Sequence, residues 1–82
     1  VSLLVGVDVG GTKIQAAVVS RRRVIGQARR PTPQTGAGDV VEALLAVVDT
    51  ALAAAGLARP AVEAIGIGFP GQFDQVSGET LQ

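Results

Sequence analysis

The stretch LLVGVDVGGTKIQAAVVS, Leu3–Ser20, decides the fold. Leu3–Val9 is a short apolar run with Val5, Val7 and Val9 in alternation, which reads as a strand and a central one. Gly10-Gly11 ends it. Lys13–Ser20 repeats the pattern, with Ile14, Ala16 and Val18 on one face. So short a connection joins antiparallel neighbours, and Gly-Gly is expected to supply positive φ at little cost. Outward from this hairpin, Ser20–Arg22 is a polar break and Arg23–Arg29 a third, weaker strand split by Gly26. Pro31–Gly38 (PTPQTGAG) reads as a loop, with two prolines and two glycines in eight residues.

A helix is expected from about Asp39 to Ala55. Val41, Leu44, Leu45, Val48, Leu52 and Ala55 recur at spacings of three and four. Asp39 and Glu42 form a capping-box pattern, and Gly56 stands where a glycine closes a helix. Val62–Phe69 (VEAIGIGF) is a fourth strand, with Ile65, Ile67 and Phe69 on one face and small residues on the other; Pro70-Gly71 ends it. The order β-β-β-α-β, with a helical crossover before the last strand, predicts an α/β fold. Its mixed sheet would have the fourth strand parallel to an earlier one, a helix on one face, and the other face and an edge left open.

Composition sets limits. The chain has 82 residues, 48% of them apolar and 17% charged, which suits one small globular core rather than disorder. A chain this short buries only about 60% of its unfolded surface. Seven basic and seven acidic residues cancel, so no net charge attracts the chain to nucleic acid or an anionic membrane. With no Cys and no His, disulfides, Cys/His zinc sites, thiol nucleophiles and His-based dyads are excluded within these residues. The apolar run Val1–Val7 is too short to cross a membrane and lacks a basic leader. A cytoplasmic location is the expectation. Met is absent even at position 1, and Glu79–Gln82 reads like the start of a further element. The expectation is an N-terminal fragment of a larger protein, the alternative a complete mini-domain.

Asp8-Val9-Gly10-Gly11-Thr12-Lys13 carries the chemistry. Glycines let backbone N–H groups approach anionic oxygens, Thr12 adds a hydroxyl, and Lys13 adds a cation. Asp8 could hold Mg²⁺, directly or through its water, beside a phosphate. An ordinary glycine hairpin with a strand-end Asp fits the same residues, and residue chemistry alone leaves both readings open. Gly6–Lys13 is not a Walker A loop: Thr12-Lys13 reverses the Lys-Thr order, and a strand pattern follows where a helix should open. Gly66-Ile67-Gly68-Phe69-Pro70-Gly71 matches the dinucleotide fingerprint by letter, yet its first glycines lie inside a strand pattern and no helix follows. Arg21, Arg22, Arg23, Arg29 and Arg30 have no interleaved aromatics and read as a solvated hairpin rim.

VGVDVGGTKIQAAVV and IGIGFPGQFDQVSGET, with the hairpin and helix between them, closely resemble the N-terminus of the ROK family (repressors, open reading frames and sugar kinases). The resemblance spans essentially the whole chain. It implies a ribonuclease H-like lobe of the actin-like ATPase superfamily, here incomplete. The implied function is an ATP-dependent hexose kinase of the glucokinase type using Mg²⁺, with Gly10, Gly11, Thr12 and Lys13 at the ATP phosphates and Asp8 on the metal side. Gly71 and Gln72 are the implied sugar-side residues, followed by a turn at Asp74–Gly78. The family's catalytic Asp, its sugar-holding His and Glu, its adenine pocket and a cysteine-rich zinc loop would all lie downstream, so no catalytic residue is expected within these 82. The implied partners are sugar and nucleotide, without nucleic acid or membrane, in a homo-oligomeric parent. The family also contains sugar-responsive repressors, whose phosphate hairpin is often degraded. The intact Asp8–Lys13 hairpin favours a kinase over a repressor; a non-catalytic ATP- or sugar-binding module stands as the alternative of another class.

Overall fold

The computed structural model describes residues 3–69. Its elements are β1 (Leu3–Val9), β2 (Lys13–Ser20), β3 (Arg23–Pro31), α1 (Ala37–Ala54), a 3-10 turn (Arg59–Ala61) and β4 (Ala64–Gly68). The four strands form one sheet in the order β3-β2-β1-β4. β1 pairs antiparallel with β2 and parallel with β4, and β2 pairs antiparallel with β3. The mixed sheet and the parallel fourth strand are as expected. No helix among the described residues is long and apolar enough to cross a membrane.

Alternation divides the sheet cleanly. Val5, Val7, Ile14, Ala16 and Val18 are buried against Ala43, Val47, Val48, Ala51 and Leu52 of α1. The opposite face carries Gly6, Asp8, Gln15, Ala17, Gln27, Arg29 and Gly66, which line one open trough of about 900 Å³. α1 packs chiefly on β3 and β2 and touches β1 little. Ile65 and Ile67 pair with Val5 and Val7, so they share the helix-side face, yet both remain exposed because α1 does not reach that edge.

The helix differs from expectation in two respects. It begins at Ala37, with Gly36 rather than Asp39 in the capping position and no side-chain cap. Gly36 takes φ 130°, a conformation open essentially to glycine, and its carbonyl accepts the first helical bond from Val40. Asp39 therefore falls in the first turn, where a carboxylate complements the helix dipole, and accepts a hydrogen bond from the Thr35 hydroxyl. The buried stripe is also rotated. Val41 (56% exposed) and Leu45 (39%) face outward, while Ala43, Val47 and Ala51 face the sheet. The cause is Gly26: a Cβ there would lie 2.4 Å from the Ala51 carbonyl oxygen and 3.2 Å from Ala55 Cβ. At this point the helix comes so close to β3 that no side chain fits between them. At the other end Gly56 has φ 73°, and Gly56 and Leu57 donate to Ala53 and Leu52, the paired bonds of a Schellman motif.

The strands differ at their ends. β3 continues to Pro31, and Thr32 N–H donates to the Thr12 carbonyl, prolonging the ladder. A proline is harmless there because β3 is an edge strand. Ile25 is the extra residue of a bulge, since Val18 pairs with Gly26 and Val19 with Val24. β4 starts at Ala64 rather than Val62 because Pro60 favours a 3-10 turn, which draws the Val62 N–H to Arg59.

Glycine supplies positive φ in neither hairpin loop. Gly10 and Gly11 are absent from the residues with positive φ, whereas Arg21 (φ 54°) and Arg22 (φ 65°) both adopt it between the paired Ser20 and Arg23. That two-residue loop has the φ signs of a type I′ turn, which Asn-Gly fills best. Replacing Arg21-Arg22 by Asn-Gly is expected to stabilise the protein by about 1–2 kcal/mol in thermal unfolding. Gly26→Ala, in contrast, is expected to lower the urea midpoint by an amount equivalent to about 1–3 kcal/mol, because neither the helix backbone nor the strand can yield freely.

Candidate functional site

β1 and β2 meet in a two-residue loop, Gly11-Thr12, closed by Gly10 N–H donating to the Lys13 carbonyl at 3.0 Å. The chain after β3 folds back over this loop. Thr32 Oγ1 donates to the Gly10 carbonyl at 2.8 Å, Thr32 N–H to the Thr12 carbonyl at 3.0 Å, and Gln34 Nε2 to the Gly11 carbonyl at 3.0 Å. Gln34 Nε2 also donates to the Thr32 carbonyl at 3.1 Å, which steadies the arm that makes these contacts.

The electrostatic consequence is direct. The carbonyl oxygens of Gly10, Gly11, Thr12 and Lys13 are each held by a donor within the protein. Among the described residues, the Gly11 and Thr12 N–H groups find no acceptor. The loop's negative ends are thus tied inward, and its positive ends stay available at an exposed tip. Turns with free backbone N–H groups are one way in which proteins make anion-binding concavities. Gly11 has no heavy atom within 4 Å of where a Cβ would stand, so its role is to leave open space. At Gly10 a Cβ would press on the Lys13 carbonyl at 3.2 Å, so glycine there permits the tight closure.

Asp8 and Lys13 are exposed and project from the open face, opposite the valine and isoleucine core. Asp8 lies opposite Gln15 of β2 and Gly68 of β4, so β1 and β4 run out at the same edge of the sheet. Asp8, Gly10, Gly11, Thr12 and Lys13 are therefore brought together as one corner. Pro70, Gly71 and Gln72, together with the turn at Asp74–Gly78, lie outside the described residues. Sequence reasoning missed Thr32 and Gln34. Their one signal was two polar side chains in a proline-rich loop, and only the β2–β3 register shows that this loop returns to the glycine turn. The arginines, taken together as a rim, separate: Arg21 and Arg22 form the distant turn, while Arg29 lines the trough with Asp8 and Gln15.

Known proteins share this architecture. The structure superposes on a ROK hexokinase from Thermus thermophilus with a TM-score of 0.76 and 41% identity, covering 93% of this chain and 24% of that one. A ROK family glucokinase from Streptomyces griseus, determined in complex with glucose and AMPPNP, gives a TM-score of 0.70 and 42% identity over 83% of this chain and 20% of that one. The chain thus spans about a quarter or less of either enzyme, and the shared fold is that of their N-terminal lobe. No match was found among curated proteins. The sequence itself matches the ROK family over residues 4–81, which takes in the helix, the glycine turn and all of the sheet but Leu3, and the chain belongs to that family.

Proposed function

We propose that the protein carrying this segment is an ATP-dependent hexose kinase of the glucokinase type, transferring the γ-phosphate of ATP to a sugar hydroxyl. The observation that carries this reading is the tied-back turn. A loop whose carbonyls are all engaged, at the end of a strand bearing Asp8, is built to receive anionic oxygens rather than merely to reverse the chain. The glucose and AMPPNP bound by the Streptomyces griseus enzyme support the substrate classes, and the hexokinase from Thermus thermophilus supports the reaction.

In this reading Gly11 and Thr12 offer N–H groups, Thr12 adds its hydroxyl, and Lys13 adds a mobile cation to the phosphates. Phosphoryl transfer asks the protein mainly for positioning and charge stabilisation, which preformed donors provide without reorganising. Asp8 fits Mg²⁺ as one exposed carboxylate; no group of three or more acidic ligands gathers among the described residues. Mg²⁺ is commonly held by one or two carboxylates plus substrate phosphates, so this sparse donor set suits it. When bound, the ion would neutralise charge on the phosphate oxygens.

Two outcomes follow for the full-length protein. Asp8→Ala is expected to reduce kcat with glucose and Mg-ATP by roughly 100-fold or more while the KM for sugar changes little, because the interaction strengthens in the transition state. Steady-state kinetics check this, and full activity would reduce Asp8 to a turn residue. Thr32→Val keeps the side-chain shape but frees the Gly10 carbonyl. Its expected signature is weaker Mg-ATP binding by calorimetry, with a stability loss of only about 0.5–1.5 kcal/mol.

A further inference from the structure

No cis peptide bond occurs among the described residues. In each planar trans peptide of the glycine turn, the carbonyl and the N–H that follows it therefore point in opposite directions. A donor that fixes one residue's carbonyl aims the next residue's N–H. Thr32 Oγ1, 2.8 Å from the Gly10 carbonyl, aims the Gly11 N–H. Gln34 Nε2, 3.0 Å from the Gly11 carbonyl, aims the Thr12 N–H.

The bond from Gln34 holds the peptide with the least other restraint. The Gly11–Thr12 peptide is the central one of the turn, and rotation of a central peptide is what converts one turn type into another. The closing bond from Gly10 N–H to the Lys13 carbonyl spans the turn without engaging it. Packing does not hold it either: Gly11 is exposed, with no heavy atom within 4 Å of where a Cβ would stand. Among the described residues, the hydrogen bond that fixes this peptide is the one from Gln34. The side chain suits the task. Its second contact, 3.1 Å from the Thr32 carbonyl, uses the other N–H of the amide. Both partners are acceptors, so the amide has one productive orientation, and being neutral it leaves the local charge to Lys13.

We infer that Gln34 is a positioning residue: it locks the Gly11–Thr12 peptide so that the Thr12 N–H meets a phosphate oxygen of the nucleotide, and touches no ligand atom itself. This inference rests on the proposed kinase reading. It divides the arm into two tasks, Thr32 setting one N–H and Gln34 the next.

The test uses the full-length protein and Gln34→Met, an unbranched side chain of similar length without a donor. Calorimetry follows Mg-AMPPNP and glucose, and ¹⁵N–¹H spectra of threonine-labelled protein follow the Thr12 amide. The Kd for Mg-AMPPNP is expected to rise about three- to tenfold, the scale of one neutral hydrogen bond. Its salt dependence should not change, since no charge is lost. Glucose binding and the melting temperature should stay near those of the wild type, because Gln34 is exposed. The Thr12 amide, expected to shift downfield when Mg-AMPPNP binds the wild type, should shift distinctly less in the variant. If both the affinity and the Thr12 response match the wild type while Asp8→Ala still lowers kcat, the inference is overturned and the kinase reading stands. If affinity falls but Thr12 responds as in the wild type, Gln34 touches the ligand directly and the positioning role is overturned. If glucose and Mg-AMPPNP weaken together with a lowered melting temperature, Gln34 is structural and the inference is again overturned. If the wild type binds no Mg-AMPPNP, both readings fall.

Discussion

A one-residue slip of β1 against its neighbours would bury Asp8 and turn Val5 and Val7 to water, and every other feature depends on that not happening. β1 is held on both sides, by β2 over seven residue pairs and by β4 over five. Strand alternation gives each register an opposite outcome for each side chain, so the buried valines fix the position of the acid. The same register sets Gln15 beside Asp8 and Arg29 beside Gln15. A hydrophobic pairing decision on one face therefore becomes an electrostatic arrangement on the other.

The two hairpins show how differently a two-residue loop can be stabilised. At Gly11-Thr12 the backbone conformation is unstrained, and the loop is secured from outside by Thr32 and Gln34. At Arg21-Arg22 the residues themselves adopt left-handed conformations that L-residues resist, and no side chain among the described residues secures the loop. External bonding of the first loop's carbonyls fixes which way its N–H groups point. In the proposed reading, that polarity, rather than glycine flexibility, is what suits the first loop to anions. The second loop has two arginines, followed by a third at the start of β3, but no such organised backbone.

Strand identity, the antiparallel meander and the single crossover were legible because each rests on a local pattern: alternation in Val5, Val7, Ile14, Ala16 and Val18, and a helical period ending at Gly56; that β4 joins β1 was not, since that pairing is long-range. The helix face was not legible. Val41 and Leu45 are as apolar as Leu44 and Leu52, and periodicity alone cannot rank them. Gly26 decides, through a contact with Ala51 on an element 25 residues away. The cap failed for a related reason. Asp39 has the chemistry of a capping residue, but Gly36 could adopt a conformation that started the helix earlier. For the candidate site, the glycine turn was visible in the sequence, while its retaining arm depends on strand register.

The retaining arm bears on the proposed chemistry because it links the turn to the helix. Thr32 and Gln34 hold the turn's carbonyls, and Thr35, next in the chain, donates to Asp39 in the first turn of α1. α1 in turn lies on β3 so closely that Gly26 admits no Cβ. From the glycine turn to the helix, each step is therefore a hydrogen bond or a tight contact rather than a loose tether. Under the proposed reading, a loop held this way would lose little conformational entropy when an anion arrives, leaving more of the binding energy for aligning the γ-phosphate. Displacing the helix at Gly26 should accordingly be felt at the turn, through β3 and the arm that follows it.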